Sequence, residues 1–177
     1  MTWAYGRQAP DNNLMRFVAR RFPHPREYGD LKFLDIGSGE GANARELGGR
    51  GYVVIKLDID AETEPDLCAD ICTVVDPPWK FDLIYDINTL CHVENPPFEK
   101  IKSWLKPGGI FFSIWPAHGT WPGIADGKSY TRFVNARELA DMLNMFSDRQ
   151  LYSARSPRFR RLTMFSYLDS WIVEARP

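Results

Sequence analysis

Apolar and polar positions recur along this chain in two rhythms, and the switches between them outline its elements. From Asp11 or Asn12 to Phe22, Leu14, Phe17, Val18 and Phe22 return at helical spacing, and Pro23-His24-Pro25 stops the run. Leu31–Ile36 is a short apolar stretch closing on a glycine turn, the pattern of a buried parallel strand. Gly41–Arg50 predicts a helix broken by Gly48-Gly49 and Gly51, and Tyr52–Ile59 a second buried strand. A weak third strand is expected at Leu67–Ala69. Pro77-Pro78 then imposes a loop before a fourth strand, Phe81–Ile87. Pro96–Leu105 suits a helix with Phe98, Ile101, Trp104 and Leu105 inward. The Lys106-Pro107-Gly108-Gly109 turn leads into a fifth strand, Ile110–Trp115. Residues 116–132 read as a long loop, and Asn135–Phe146 as an amphipathic helix capped by Asn135. Strands at Gln150–Ala154 and Tyr167–Ala175 close the chain.

Alternation of strands and helices predicts an α/β fold, a mostly parallel sheet with helices on both faces. Ligands of such sheets bind beyond the carboxyl ends of the strands. Candidate chemistry is therefore expected after Ile36, Leu57, Ala69, Ile87 and Trp115.

Composition narrows the classes. A length of 177 residues, 44% hydrophobic and 25% charged, fits one globular domain. A formal net charge of −1 gives no global attraction to nucleic acid or an anionic membrane, with Arg155, Arg158, Arg160 and Arg161 as a local exception. Cys68, Cys72 and Cys91 are too few for a disulfide framework and lack the neighbouring ligands of a zinc site, so no metal is expected. No signal-like stretch opens the chain, and no segment reaches the roughly 20 apolar residues of a membrane span. The expected setting is the cytoplasm.

The chemistry concentrates at Gly37, Gly39 and Gly41, between a strand and a helix, where glycines let a ligand approach main-chain N–H groups. The spacing Gly37-x-Gly39-x-x-Ala42 with Asp58 also suits a dinucleotide turn. Asp35 argues otherwise, because a carboxylate beside the turn suits a cationic amino group and repels a pyrophosphate. Asp58 ends the next strand with two oxygens for ribose hydroxyls, followed by Ile59. Asp70-Ile71 offers an acceptor and an apolar wall for adenine.

Leu34-Asp35-Ile36-Gly37-Ser38-Gly39-Glu40-Gly41 resembles the first motif of class I S-adenosylmethionine-dependent methyltransferases. Phe81–Val93 resembles that family's fourth-strand region and Leu105–Gly109 its turn before the fifth strand, so the match runs over about residues 30–116. The resemblance implies a Rossmann-like, seven-stranded, mostly parallel sheet with an antiparallel last strand. It further implies S-adenosyl-L-methionine as cofactor and S-adenosyl-L-homocysteine as product. Asp35, Gly37, Ser38, Gly39, Gly41, Asp58, Ile59, Asp70, Ile71 and Asp86 are the implied cofactor residues. Residues 1–30 form a candidate lid, with Trp3, Tyr5 and Arg7 able to fold over the cofactor. Residues 31–115 form a cofactor-binding half and 116–177 an acceptor side.

The acceptor is expected to be a small molecule, methylated on O, N or S. His118 and His92 are the candidate catalytic residues, and Asn88, Trp115, Trp121, Tyr130 and Arg132 candidates for the acceptor pocket. Asp76-Pro77-Pro78-Trp79 resembles the catalytic motif of adenine-amino methyltransferases, but it precedes the fourth strand where that motif follows it, and it reads as a rigid loop. With the arginine run it keeps a nucleic-acid methyltransferase as one alternative. A non-catalytic cofactor-binding subunit is the other.

Overall fold

The computed structural model describes residues 9–24, 31–117, 132, 134–154 and 170–177. The strands are β1 (Lys32–Ile36), β2 (Val53–Asp58), β3 (Leu67–Cys68), β4 (Phe81–Ile87), β5 (Leu105–Pro116), β6 (Asp148–Ala154) and β7 (Ser170–Arg176). They form one sheet in the order β3-β2-β1-β4-β5-β7-β6. The pairs β1–β2, β1–β4, β2–β3 and β4–β5 are parallel, and β7 runs antiparallel between β5 and β6. The expected Rossmann-like architecture is present.

Strand side chains alternate between faces, so β1 sends Phe33 to one layer and Leu34 and Ile36 to the other. The first layer is covered by α1 (Asn12–Arg21) and α2 (Ala42–Gly49), whose Leu14, Phe17, Val18 and Leu47 are buried with Phe33, Leu83 and Phe112. The second is covered by α3 (Phe98–Trp104) and α4 (Ala136–Met142), where Ile101, Trp104 and Leu139 pack on Ile84, Phe111 and Trp115.

α1 is fixed at both ends. The Asp11 carboxylate accepts from Asn13 N and Leu14 N at 2.8 and 3.1 Å, meeting the free N–H groups of the first turn. In the last turn Arg20 and Arg21 donate to the buried Glu174 of β7 at 2.8 and 3.0 Å. Between them the Phe17 ring stacks on Phe112 with centroids 4.6 Å apart.

Several elements differ from the sequence expectation in bounds or exposure. α2 runs through Gly48-Gly49, and the break comes at Gly51, whose φ is +100°. β2 is half-exposed where its apolar run predicts a buried strand, because only the two-residue β3 lies beyond it at the sheet edge. β5 begins at Leu105, not after the glycines: Phe81 pairs with Leu105 and Leu83 with Ile110, so Lys106–Gly109 loop out of the ladder. α4 ends at Met142, with Leu143 as its cap, although Leu143 and Phe146 remain buried as the amphipathic pattern implies.

Phe112 sits at the centre of the first layer, fully buried against α1. Phe112→Ala is expected to cost roughly 3–5 kcal/mol in urea unfolding, through lost transfer energy and the cavity left beneath Phe17.

Candidate functional site

Register assembles the site. Ile36 pairs with both Leu57 and Asp86, and Asp58 with Cys68. Gly37, Asp58, Asp70 and Asn88 therefore emerge along one carboxyl edge. Its centre lies between β1 and β4, where strand order reverses and doubly wound sheets open a crevice.

Gly37, Gly39 and Gly41 all have left-handed backbones, with φ of +67°, +49° and +72°. The turn is tied to β2: Gly37 N and Ser38 N donate to Leu57 O at 2.8 and 3.2 Å. Gly39 N donates to Asp58 Oδ2 at 2.7 Å, and Asp60 N to Asp58 Oδ1 at 3.0 Å. These bonds aim the Asp58 carboxylate and leave about half of its roughly four lone-pair sites for a ligand. A Cβ at Gly39 would meet nothing within 4 Å, so the turn is open there. At Gly37 it would lie 2.1 Å from Thr89 Oγ1, so Gly37 faces protein.

Three carboxylates at this edge have three environments. Asp58 is only partly buried. Asp35 is 2% exposed and sits behind the turn rather than on its surface. Burial pushes its pKa from 3.8 to about 8, with the Asp86 and Asp58 carboxylates adding to the rise and Lys56 opposing it. The adjacent Tyr85 hydroxyl also opposes the rise but stops short of hydrogen-bond geometry, since Asp35 Oδ2 and Tyr85 Oη both lack a partner. Ser38 Oγ in the turn is likewise buried without one.

Asp86 departs from the expectation that it contacts cofactor. It is fully buried, and its Oδ1 accepts from Thr89 N and Leu90 N at 2.8 and 2.9 Å. Its Oδ2 accepts from Ser113 Oγ at 2.6 Å. Burial raises its pKa to about 6, against the lowering effect of these hydrogen bonds. What it holds is the turn after β4, where Asn88 has a φ of +58° and the 3-10 turn Leu90–His92 begins.

The remaining expected residues divide. Ile59, beside Asp58, is 70% exposed and offers a free apolar face. Ile71 is packed into the core, while Asp70 is exposed and accepts from Cys72 N at 2.8 Å. His92 is exposed at the end of its 3-10 turn. Trp115 does not line an open pocket as expected: its ring is fully buried, 6.3 Å from that of Phe98. Arg132 is held at the same edge by donating its main-chain N–H to Cys91 O at 2.7 Å. His118, Trp121 and Tyr130 lie outside the described residues, as do Trp3, Tyr5, Arg7 and Arg155–Arg161.

Asp76-Pro77-Pro78-Trp79 lies at the opposite edge. Asp76 Oδ1 accepts from Trp104 Nε1 at 2.8 Å, and the Lys32 ammonium, at the start of β1, stands 5.9 Å from the Trp79 ring centre. On its other side the loop shares a pocket with Leu67, Ala69 and Asp70, so it reaches from that edge toward the Asp70 end of the site. Residues that the sequence leaves unmarked are Tyr85, Ser113 and Thr89. Tyr85 and Ser113 read as ordinary strand residues until register sets them beside Asp35 and Asp86. Thr89 is significant only through its contact with Gly37.

Comparison with known proteins follows the same lines. The model of a family described as "Methyltransferase domain" matches residues 3–158. The structure resembles Haemonchus contortus phosphoethanolamine N-methyltransferase 2 in complex with S-adenosyl-L-methionine, with a TM-score of 0.71 and 18% identity. That alignment covers 96% of this chain and 54% of the other, so the chain spans about half the length of the Haemonchus enzyme. A glycopeptide N-methyltransferase complexed with S-adenosyl-L-methionine aligns with a TM-score of 0.65 and 12% identity, over 95% of this chain and 94% of that one. A SAM-dependent methyltransferase from Archaeoglobus fulgidus gives 0.64 and 15%, over 94% and 95%. A search of curated protein sequences finds no match.

The buried carboxyls set a pH dependence. Between pH 3.8 and about 8 the folded chain holds a proton on Asp35 that the unfolded chain has released, so stability falls as pH rises through this window. Asp86 contributes the same sign up to about pH 6. Asp35→Asn is expected to remove as much as about 1.4 kcal/mol per pH unit of this slope. Urea unfolding at several pH values checks it, and a variant with the parent slope would refute it.

Proposed function

The chain belongs to the methyltransferase-domain family, and on that footing we propose that it binds S-adenosyl-L-methionine and transfers its methyl group to O, N or S of a small-molecule acceptor. The observation that carries this reading is the clamp between Gly39 N and Asp58 Oδ2, under an open turn and beside the exposed Ile59. A nucleoside fits that arrangement: two ribose hydroxyls for the remaining Asp58 lone pairs, and an apolar face for the base. Bound there, the cofactor supplies a methyl group activated by its positive sulfur and leaves as S-adenosyl-L-homocysteine.

In this reading residues 31–115 hold the cofactor and 116–177 the acceptor. Asp58 orients the ribose, and Ile59, Asp70 and Ile71 bound the adenine. The main chain of Gly37–Gly41 passes beside the amino-acid end. Asp35, buried behind the turn with its Oδ2 unpartnered, keeps its proton at neutral pH, and a cationic group arriving at that end would favour its ionisation. Asp86 acts at one remove, fixing the turn that places Thr89 against Gly37. The reaction needs alignment more than proton transfer, and orientation supplies roughly 7–11 kcal/mol in well-positioned systems. Where the acceptor must first lose a proton, His118 or His92 is the candidate base.

Nucleic acid is not the favoured acceptor, because Asp76–Trp79 is anchored to Trp104 and Lys32 at the far edge. Among the described residues no helix is long and apolar enough to cross a membrane.

Isothermal titration with S-adenosyl-L-homocysteine tests the reading. The parent chain is expected to bind, and Asp58→Ala to weaken binding at least tenfold, the loss of hydrogen bonds to a charged group. No uptake by the parent, or equal affinity in the variant, would overturn it.

A further inference from the structure

At the corner between the ends of β4 and β5, a guanidinium has no acid partner among the described residues. The half-buried Arg132 is fixed there by its main-chain bond to Cys91 O, while Val134, two residues on, bridges to Ala117 and donates to Pro116 O. Its guanidinium carries five N–H donors, yet its one side-chain partner among the described residues is the thioether sulfur of Met142, 3.5 Å from Nη1. No carboxylate of the described residues forms an ion pair with it, and Asp86, the acid at the end of β4, is engaged by Ser113 and the turn that follows. Trp115 Nε1 is buried without a partner, and its ring packs in the same apolar cluster as Cys91 and Val134.

A half-buried guanidinium has lost part of its hydration, and among the described residues it gains no opposite charge. A weak sulfur acceptor offsets little of that loss, whereas an oxyanion meets it with charge and with paired hydrogen bonds. The corner also stands beside Cys91, directly after the turn that carries Asn88 and Thr89, hence on the acceptor side of the edge.

We propose that Arg132 is the specificity-determining residue of the acceptor site and that it selects acceptors bearing an oxyanion, a phosphate or a carboxylate, apart from the atom to be methylated. This rests on the methyltransferase reading above. It assigns Arg132 a binding part and no step in methyl transfer.

The test uses the full chain loaded with S-adenosyl-L-homocysteine, titrated at constant ionic strength with inorganic phosphate, with acetate and with choline chloride, following the rise in Tm. Saturable stabilisation by phosphate or by acetate but not by choline is expected, and which of the two saturates identifies the acceptor's anion. Arg132→Gln is expected to weaken that anion at least tenfold while S-adenosyl-L-homocysteine binding stays at parent level. Arg132→Lys, which keeps the charge without the planar fork, is expected to fall between them. Arg137→Gln, an exposed arginine at the start of α4, serves as control and should match the parent.

If S-adenosyl-L-homocysteine binds but neither anion saturates, the inference fails and the methyltransferase reading stands. It fails equally if Arg132→Gln and Arg132→Lys both bind the anion as the parent does. If S-adenosyl-L-homocysteine itself does not bind, the broader reading fails and the inference falls with it.

Discussion

The hydrogen-bonded register that sets Ile36 against Leu57 on one side and Asp86 on the other is the constraint on which the site depends. A parallel sheet fixes register through its buried faces, since a slip of one residue turns every core side chain outward. Here Phe33 and Leu34 belong to opposite cores, so neither face tolerates a shift. The strand ends therefore finish level. Gly37 can donate to Leu57 O, Gly39 to Asp58, and Thr89 can settle over Gly37, because three separate strands stop along one line.

That alignment brings Asp35, Asp58 and Asp86 together, and solvent then separates their parts. Asp58 keeps its contact with water and takes two main-chain donors, which aim it outward. Asp86 is buried but well supplied with donors, so its elevated pKa is moderate and its influence structural. Asp35 is buried and poorly supplied, so burial dominates and raises its pKa further. A cluster of acids opposed mainly by Lys56 beside Asp35 and His92 beside Asp86 is costly to the fold. Such a cluster suits a ligand that carries positive charge.

The side proposed for the acceptor offers a positive charge instead. Arg132 brings its guanidinium to a corner where no acid of the described residues pairs with it. On that proposal, one edge of the sheet offers carboxylates at its β1–β2 end and a guanidinium at its β4–β5 end. A cationic cofactor and an anionic acceptor would be drawn to different places along it.

Much of this fold was legible in the chain because burial leaves a periodic trace. The helical spacing of Leu14, Phe17 and Val18, the apolar runs of β1 and β4, and the Asp11 and Asn135 caps are local patterns with local causes. The glycine turn and Asp58 were legible too, since a left-handed backbone and a strand-end acid are needed whatever the neighbours are. The half-exposure of β2 and the looped-out Lys106–Gly109 were not, because they depend on which strand lies beyond. The sequence by itself determined the elements, their order and the cofactor edge. Only the tertiary structure decided that Asp86 and Trp115 turn inward, that Tyr85 faces Asp35, that Thr89 fills the space over Gly37 and that Arg132 finds no acid among the described residues. Those outcomes rest on contacts between residues far apart in the chain, and a side chain's exposure, pKa and partners follow from such contacts rather than from its own position in the sequence.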